Sequence, residues 1–263
     1  MNRSSPRQIT RQTAVALRRR GSEATRESIL DVAERLFAHF GYDGTSIRDV
    51  AKSVGVQIAV ISYHCGPKES LFEAVIERRA AVMADRRLSA LEHSRTAAAG
   101  APISLDALIK GYVWPFIDWS THGGEGWKNY AHLIARVANS PRWAAIISKH
   151  FDGVARQYLA EFRRSLPEAS TNAVHLGFSF MIGTMLYTCA EAGEIDRRSD
   201  GKFRSSDLET AFESMLPFIH GGFLAVADHL SHDGVKFHQK NSGRLAGARS
   251  SRRRPITTNP SAS

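Results

Sequence analysis

The stretch of this 263-residue chain best equipped for chemistry runs from Ile47 to His64. Within it, Ala51, Gly55 and Ile61 supply what two helices meeting across a tight turn require. These are a small residue where the backbones approach, a glycine free to take positive φ, and an apolar residue that locks the second helix down. Val50, Val54 and Val56 complete a small core and leave Gln57, Ile58, Ala59, Ser62 and Tyr63 on other faces. That is helix-turn-helix spacing, in which the second helix enters the major groove and reads base edges. An ordinary short corner of two helices is the alternative reading of this segment.

The elements that would position it are written in the flanking periodicity. From Thr25, the residues Ile29, Val32, Ala33, Leu36, Phe37 and Phe40 form one helical stripe, ended by Gly41 as a C-cap. Thr45 or Ser46 can cap a short second helix, with Asp49 near its exposed N–H groups. Gly55 breaks that helix and a third begins at once. After Cys65-Gly66-Pro67 comes a helix with Leu71, Phe72, Val75 and Ile76 on its stripe, extending to about Leu91, then an Ala/Gly-rich link from Thr96 to Ala101 that reads as a domain boundary.

Five further helices are expected at roughly 102–120, 125–139, 141–165, 169–192 and 206–230. Gly123-Gly124, Ser140-Pro141 and Pro167 punctuate them, Gly193 to Ser205 reads as a polar loop, and Ser206 with Glu209 offers a capping box. Pro217 should kink the last helix. No segment alternates with period two long enough for a strand, so the fold class is all-α.

Charge is concentrated at the ends. Residues 1–22 carry six arginines and no acid, and residues 231–263 carry seven bases against one acid, while the interior is nearly neutral. Both ends read as disordered, a basic arm and a basic tail, and the pI near 9.9 points to a polyanion partner, nucleic acid or an acidic membrane surface.

Other chemistries lack their signatures. Cys65 and Cys189 stand far apart with no Cys-x-x-Cys, which favours a reduced, cytoplasmic protein. The apolar run from Ala173 to Ala190 contains His175, Ser179, Thr184 and Thr188 and suits a buried helix better than a membrane span. The basic N-terminus lacks the apolar core of a signal peptide. No phosphate-binding loop, dinucleotide fingerprint or Gly-x-Ser-x-Gly is present, so neither a catalytic site nor a cofactor is expected. His229 and His232, three apart beside Asp233, fall short of a metal-ligand pattern, and no metal is expected.

The segment from Arg26 to Arg79, with its blocks "ILDVAERLFAHFGYDGTSIRDVAKSVGV" and "ISYHCGPKESLFEAVI", resembles the DNA-binding domain of the TetR family of bacterial transcriptional regulators. The resemblance implies a homodimer of all-helical subunits: a helix-turn-helix domain over residues 23–68, then a ligand-binding and dimerisation domain over residues 69–230. It also implies repression of an operator, relieved by a small molecule. Carried over by position, Thr45, Ser46 and Arg48 match the start of the second helix, and Gln57, Ile58, Ala59, Ser62 and Tyr63 the recognition helix. Tyr63 and His64 match an aromatic–histidine pair that contacts phosphate, and Lys68 matches the lysine opening the next helix.

Gln57 could pair bidentately with adenine, and Ile58 and Ala59 could touch thymine methyls. A lysine at a helix N-terminus is electrostatically odd unless a phosphate lies nearby. The helices near 169–192 and 206–230 would form the dimer bundle. Aromatic-rich helices would line an effector cavity for a hydrophobic or aromatic ligand, with Trp114, Trp119, Trp127, Tyr130, His132, Arg136 and His175 as candidate contacts. Two other readings remain at this point: a nonspecific nucleoid-type DNA-binding dimer, and an all-helical enzyme.

Overall fold

The computed structural model describes residues 6–233, with side chains for residues 21–230. Its helices are α1 (Pro6–Phe40), α2 (Ile47–Val54), α3 (Ile58–Cys65), α4 (Lys68–Ala98), α5 (Leu105–His122), α6 (Glu125–Val137), α7 (Ala144–Ser165), α8 (Thr171–Cys189), α9 (Glu194–Arg198) and α10 (Leu208–Asp233). A 3-10 turn, Pro141–Trp143, leads into α7. No strand occurs among the described residues.

The first helix begins at Pro6, so the arm expected to be disordered over residues 1–22 is helical from that residue onward. Gln, Arg, Ala and Leu dominate this stretch and are good helix formers, and a lone Gly21 weakens a helix without ending it. Residues 1–5 and the basic tail from residue 234 lie outside the described residues.

Helix α1 buries Ile29, Leu30, Ala33, Phe37 and Ala38, while Phe40, expected on the stripe, is 64% exposed. Phe37 meets Phe72 of α4 edge-on at 5.0 Å. Helix α4 also departs from expectation. It continues past Leu91 to Ala98 and serves both halves of the molecule, packing on α1 and α3 and on α5, α6 and α7 of the larger helical body. The Thr96–Ala101 link is therefore the end of α4 and the turn that follows it, within one continuous hydrophobic core.

A polar clamp reinforces the α1–α4 junction. Glu34, 1% exposed, accepts from Arg79 Nε at 2.6 Å and Nη2 at 2.9 Å, and from Arg78 Nη2 at 2.9 Å. Arg79 also lies over the Trp127 ring at 4.8 Å, which extends the clamp to α6.

In the larger body, α8 packs along α10. Gly177 permits the close approach, since a Cβ there would fall 2.6 Å from the Phe223 ring. The Gly193–Ser205 segment contains the short helix α9, and α10 is capped by Asp207, whose Oδ1 accepts from Thr210 N at 3.2 Å. In place of the capping box expected of Ser206 and Glu209 there is a single cap one residue later, because an aspartate beside the helix start offers a charged acceptor.

Candidate nucleic-acid interface and interior cavity

The α2–α3 corner is built by local chemistry. Ser46 is the N-cap of α2: its Oγ accepts from Asp49 N at 3.1 Å, and Asp49 Oδ2 accepts from Ser46 N at 2.9 Å. These reciprocal bonds close a capping box. The Ser46 hydroxyl and backbone donors hold the Asp49 carboxyl below its usual range. The stabilisation from this cap is present above the unfolded-state pKa of Asp49 and fades as pH falls through the folded-state value.

Gly55 takes φ +81° in the turn, as the spacing required. Val50, Ala51 and Ile61 are buried beneath it. Gly66 (φ 72°, ψ −153°) occupies a backbone region that glycine alone enters readily, and it aims the chain from α3 into α4.

Thr45 belongs to this scaffold rather than to an outer surface. It is 2% exposed, and its hydroxyl donates to Leu36 O at 3.1 Å and Gly41 O at 2.9 Å, latching the α1–α2 turn. Its expected place at the DNA surface is corrected accordingly: two backbone carbonyls left by the end of α1 take up its donor.

The remaining candidates are exposed or half-buried on and beside α3. Gln57 is the N-cap of α3, exposed, with no capping bond from its side chain. Ala59 and Ser62 are exposed, Ile58 is 44% exposed, and Tyr63 is 83% exposed, an unusual position for a phenol unless it has a partner to meet. His64 is half-buried, edge-on to Tyr63 at 5.1 Å. Arg48 and Ser46 flank this surface on α2 and are exposed. Lys68 opens α4 with its Nζ 4.1 Å from the centre of the Tyr42 ring, so an aromatic face compensates part of its unfavourable placement at a helix N-terminus.

Cys65 closes α3 from inside. It is buried, and burial pushes its thiol up from the ordinary value. A thiol so held has little thiolate at neutral pH and reacts slowly. Peroxide and iodoacetamide at pH 7 should therefore leave DNA affinity unchanged, with Cys65 unmodified by mass spectrometry after exposure that labels a free thiol completely. Rapid modification accompanied by loss of binding would refute this.

The second feature is a partly open cavity of about 120 Å³ in the larger body. Its walls are Tyr112 and Phe116 of α5, Ile134 of α6, Ile147 and Phe151 of α7, and Ile182, Met185 and Leu186 of α8, with Arg87 of α4 among them. None of the seven side chains expected as effector contacts lines this cavity. Trp119 and Trp127 stack edge-on at 4.0 Å in the α5–α6 seam, and Trp114 packs on Phe212 of α10 at 4.9 Å. Tyr130 is fully buried, and burial raises its phenol well above the usual range.

His132 is half-buried near Glu191, 3.6 Å away, with burial holding its imidazole below the ordinary value. Arg136 is exposed and donates to His39 O at 3.2 Å, and His175 is exposed on α8. These residues fill helix seams or reach outward, because a wide aromatic closes a gap between helices more readily than it leaves one open.

Sequence reasoning missed Arg87. The signal was present: Met83, Arg87 and Leu91 share one buried face of α4, so a charge stands on an otherwise apolar stripe. It also missed the bridge at the start of α7. Trp143 packs on Phe72 at 4.5 Å and Tyr42 at 4.7 Å, Arg142 binds the Asp43 carboxylate at 3.0 Å, and Lys149 binds Glu73 at 2.6 Å. The N-terminal turns of the helix that lines the cavity with Ile147 and Phe151 are thus anchored to the helix-turn-helix side of the molecule.

No helix among the described residues is long and apolar enough to cross a membrane. No cluster of three or more potential metal ligands occurs among them, and His232 with Asp233 lies outside the described side chains.

Comparison with known proteins covers both halves of the chain. Residues 29–75 match the family model of bacterial regulatory proteins of the tetR family, and residues 110–222 match the tetracyclin repressor-like C-terminal domain. The chain is 40% identical over 52 residues to IcaR, the negative transcriptional regulator of the biofilm operon icaADBC in Staphylococcus aureus, a match spanning 20% of this chain and 28% of IcaR. It is 39% identical over 61 residues to the transcriptional repressor AcnR of Corynebacterium glutamicum, spanning 23% of this chain and 32% of AcnR.

Among solved structures, the ketosteroid transcriptional regulator KstR2 of Mycobacterium tuberculosis superposes with a TM-score of 0.52 at 16% identity, covering 74% of this chain and 93% of that one. The fatty acid degradation regulator FadR of Bacillus halodurans does so with 0.51 at 16% identity, covering 73% and 94%. With a capped helix-turn-helix that matches one family model and a helical body that matches the other, the chain belongs to the TetR family of bacterial regulatory proteins.

Proposed function

We propose that this protein is a sequence-specific transcriptional repressor, acting in the cytoplasm as a homodimer on operator DNA and released by a small hydrophobic or aromatic ligand. The observation that carries the reading is the outward face of α3, where Gln57, Ile58, Ala59, Ser62 and Tyr63 stand exposed on a corner whose first helix is closed by a capping box. A helix of this kind fits the major groove, with polar ends toward bases and phosphates and Ile58 and Ala59 toward thymine methyls.

The dimer is assigned to α8 and α10. Their outer faces expose Phe180 (58%), Tyr187 (59%) and Phe218 (70%), an apolar surface that a second copy would bury. The cavity is the proposed effector site. Release then works through α7: a ligand displacing Ile147 or Phe151 shifts the helix whose start carries Trp143, and so tilts the helix-turn-helix bodies of the dimer relative to one another.

The test is binding to the DNA immediately upstream of the protein's own gene, in physiological salt with excess competitor DNA. Gln57→Ala and Tyr63→Ala should each weaken the specific complex by about tenfold or more, with the thermal midpoint unchanged because both side chains are exposed. Binding that competitor removes completely, with a steep salt dependence, would favour the nonspecific nucleoid-type reading instead.

A further inference from the structure

We propose that Arg87 is the anion-recognition residue of the interior cavity, and that the ligand it selects is a monocarboxylate whose apolar body is about the size of one aromatic ring. The inference rests on the reading of the cavity as an effector site and names the chemistry of that site.

Arg87 is 3% exposed. A guanidinium is taken from water at high cost unless a carboxylate or a full set of acceptors replaces it. The other partly buried arginines obey this rule: Arg78 and Arg79 meet Glu34, and Arg95 meets Glu161. Arg87, the most buried of them, does not, since among the described residues no carboxylate comes within 4.0 Å of it.

What holds it is weaker. Nε donates to Tyr112 O at 2.8 Å, Nη2 points at Met185 Sδ at 3.6 Å, and the guanidinium lies 3.9 Å from the centre of the Tyr112 ring. Its Nη1 has no acceptor among the described residues. Tyr158 fixes the backbone beneath it by donating to Arg87 O at 2.8 Å. The result is a positioned cation with donor capacity to spare, in the wall of a cavity lined, apart from Asp152, by aromatic and aliphatic side chains.

A carboxylate is the planar, singly charged group that matches such a fork. Size narrows the rest: the cavity, about 120 Å³, is smaller than the apolar protein cavity of about 150 Å³ that accommodates benzene, so the apolar body can be no larger than one ring. The half-buried Asp152, which accepts from Ser148 Oγ at 2.6 Å, lines the same space and opposes a second anionic group, which favours a monoanion.

The experiment is titration calorimetry on the full-length protein at pH 7 with benzoate, phenylacetate, cyclohexanecarboxylate and hexanoate, each beside its neutral primary amide, and with benzylamine. At least one acid should bind about tenfold or more tightly than its amide. Arg87→Met, of similar length, should remove that preference, and Arg87→Lys should keep part of it. Because Arg87→Met also removes the bond to Tyr112 O, Ile147→Trp serves as a second variant: it fills the cavity, leaves Arg87 in place, and should abolish binding of acid and amide alike.

Amides or benzylamine binding as well as the acids, or no acid binding at millimolar concentration, would overturn the proposal. Operator release, measured in parallel, separates it from the reading beneath it. A neutral compound that binds and releases DNA refutes the carboxylate class and leaves a ligand-responsive repressor. An acid that binds through Arg87 and leaves DNA binding unchanged upholds this inference and refutes ligand-driven release.

Discussion

Replacing Glu34 with alanine should destabilise the protein by about 3 kcal/mol, the lower end of the range for breaking a buried ion pair. The carboxylate is 1% exposed and receives three bonds from two guanidiniums, so its removal strands Arg79 and takes one of three carboxylates from Arg78, which keeps Glu27 at 3.0 Å and Asp31 at 2.8 Å. The lower end applies because Arg78 and Arg79 keep 19% and 16% of their side-chain surface in water, which solvates part of the stranded charge. In urea unfolding the midpoint should fall with little change in slope.

Glu73 provides the contrast. It pairs with Lys149 at the surface, where the same substitution should cost less than about 1 kcal/mol. A loss at Glu34 no larger than the loss at Glu73 would show that the α1–α4 clamp is solvated and contributes little.

Trp143→Ala should have a comparable effect on stability and a distinct effect on function. Removing a buried tryptophan costs about 3–5 kcal/mol, and here the lost contacts are those to Phe72 and Tyr42 across the seam between the two parts of the molecule. The two helical bodies remain joined through α4 and through the Glu34 clamp, so folding should survive with a lowered midpoint. DNA binding should survive as well, because the exposed face of α3 is untouched.

What should be lost is the difference in operator affinity between the free and ligand-saturated protein. Allosteric coupling of this kind amounts to about 1–3 kcal/mol, and it disappears when the element both sites bias is released. Trp143→Phe, which retains part of the contact, should keep an intermediate coupling. If Trp143→Ala folds and its operator affinity still responds fully to ligand, the signal travels through another element, and the long helix α4 becomes the candidate.

The helix-turn-helix corner was legible from the sequence because its determinants are local. A capping serine, an aspartate three residues on, a glycine in the turn and a valine-lined seam all act within about twenty residues, and the structure assembles them as the spacing required. The helix pattern of the larger body was legible for the same reason, to within a few residues at each end. Local signals misled at Thr45, where a capping-type residue turned inward to satisfy carbonyls at the end of α1. They misled again at the aromatics of α5 and α6, since composition reveals that a side chain is bulky without revealing which gap it fills.

What sequence alone determined about this protein is therefore the helical class, the helix-turn-helix and the residues on its outer face. Each follows from the hydrogen-bonding and periodicity rules of a single short segment. Only the tertiary structure decided that Glu34 closes on arginines more than forty positions away, that Trp143 joins the two bodies, and that Arg87 faces a cavity without a carboxylate partner. Those facts depend on which helices become neighbours, and the energy of a buried charge or void is set by groups remote in the chain that packing alone brings together.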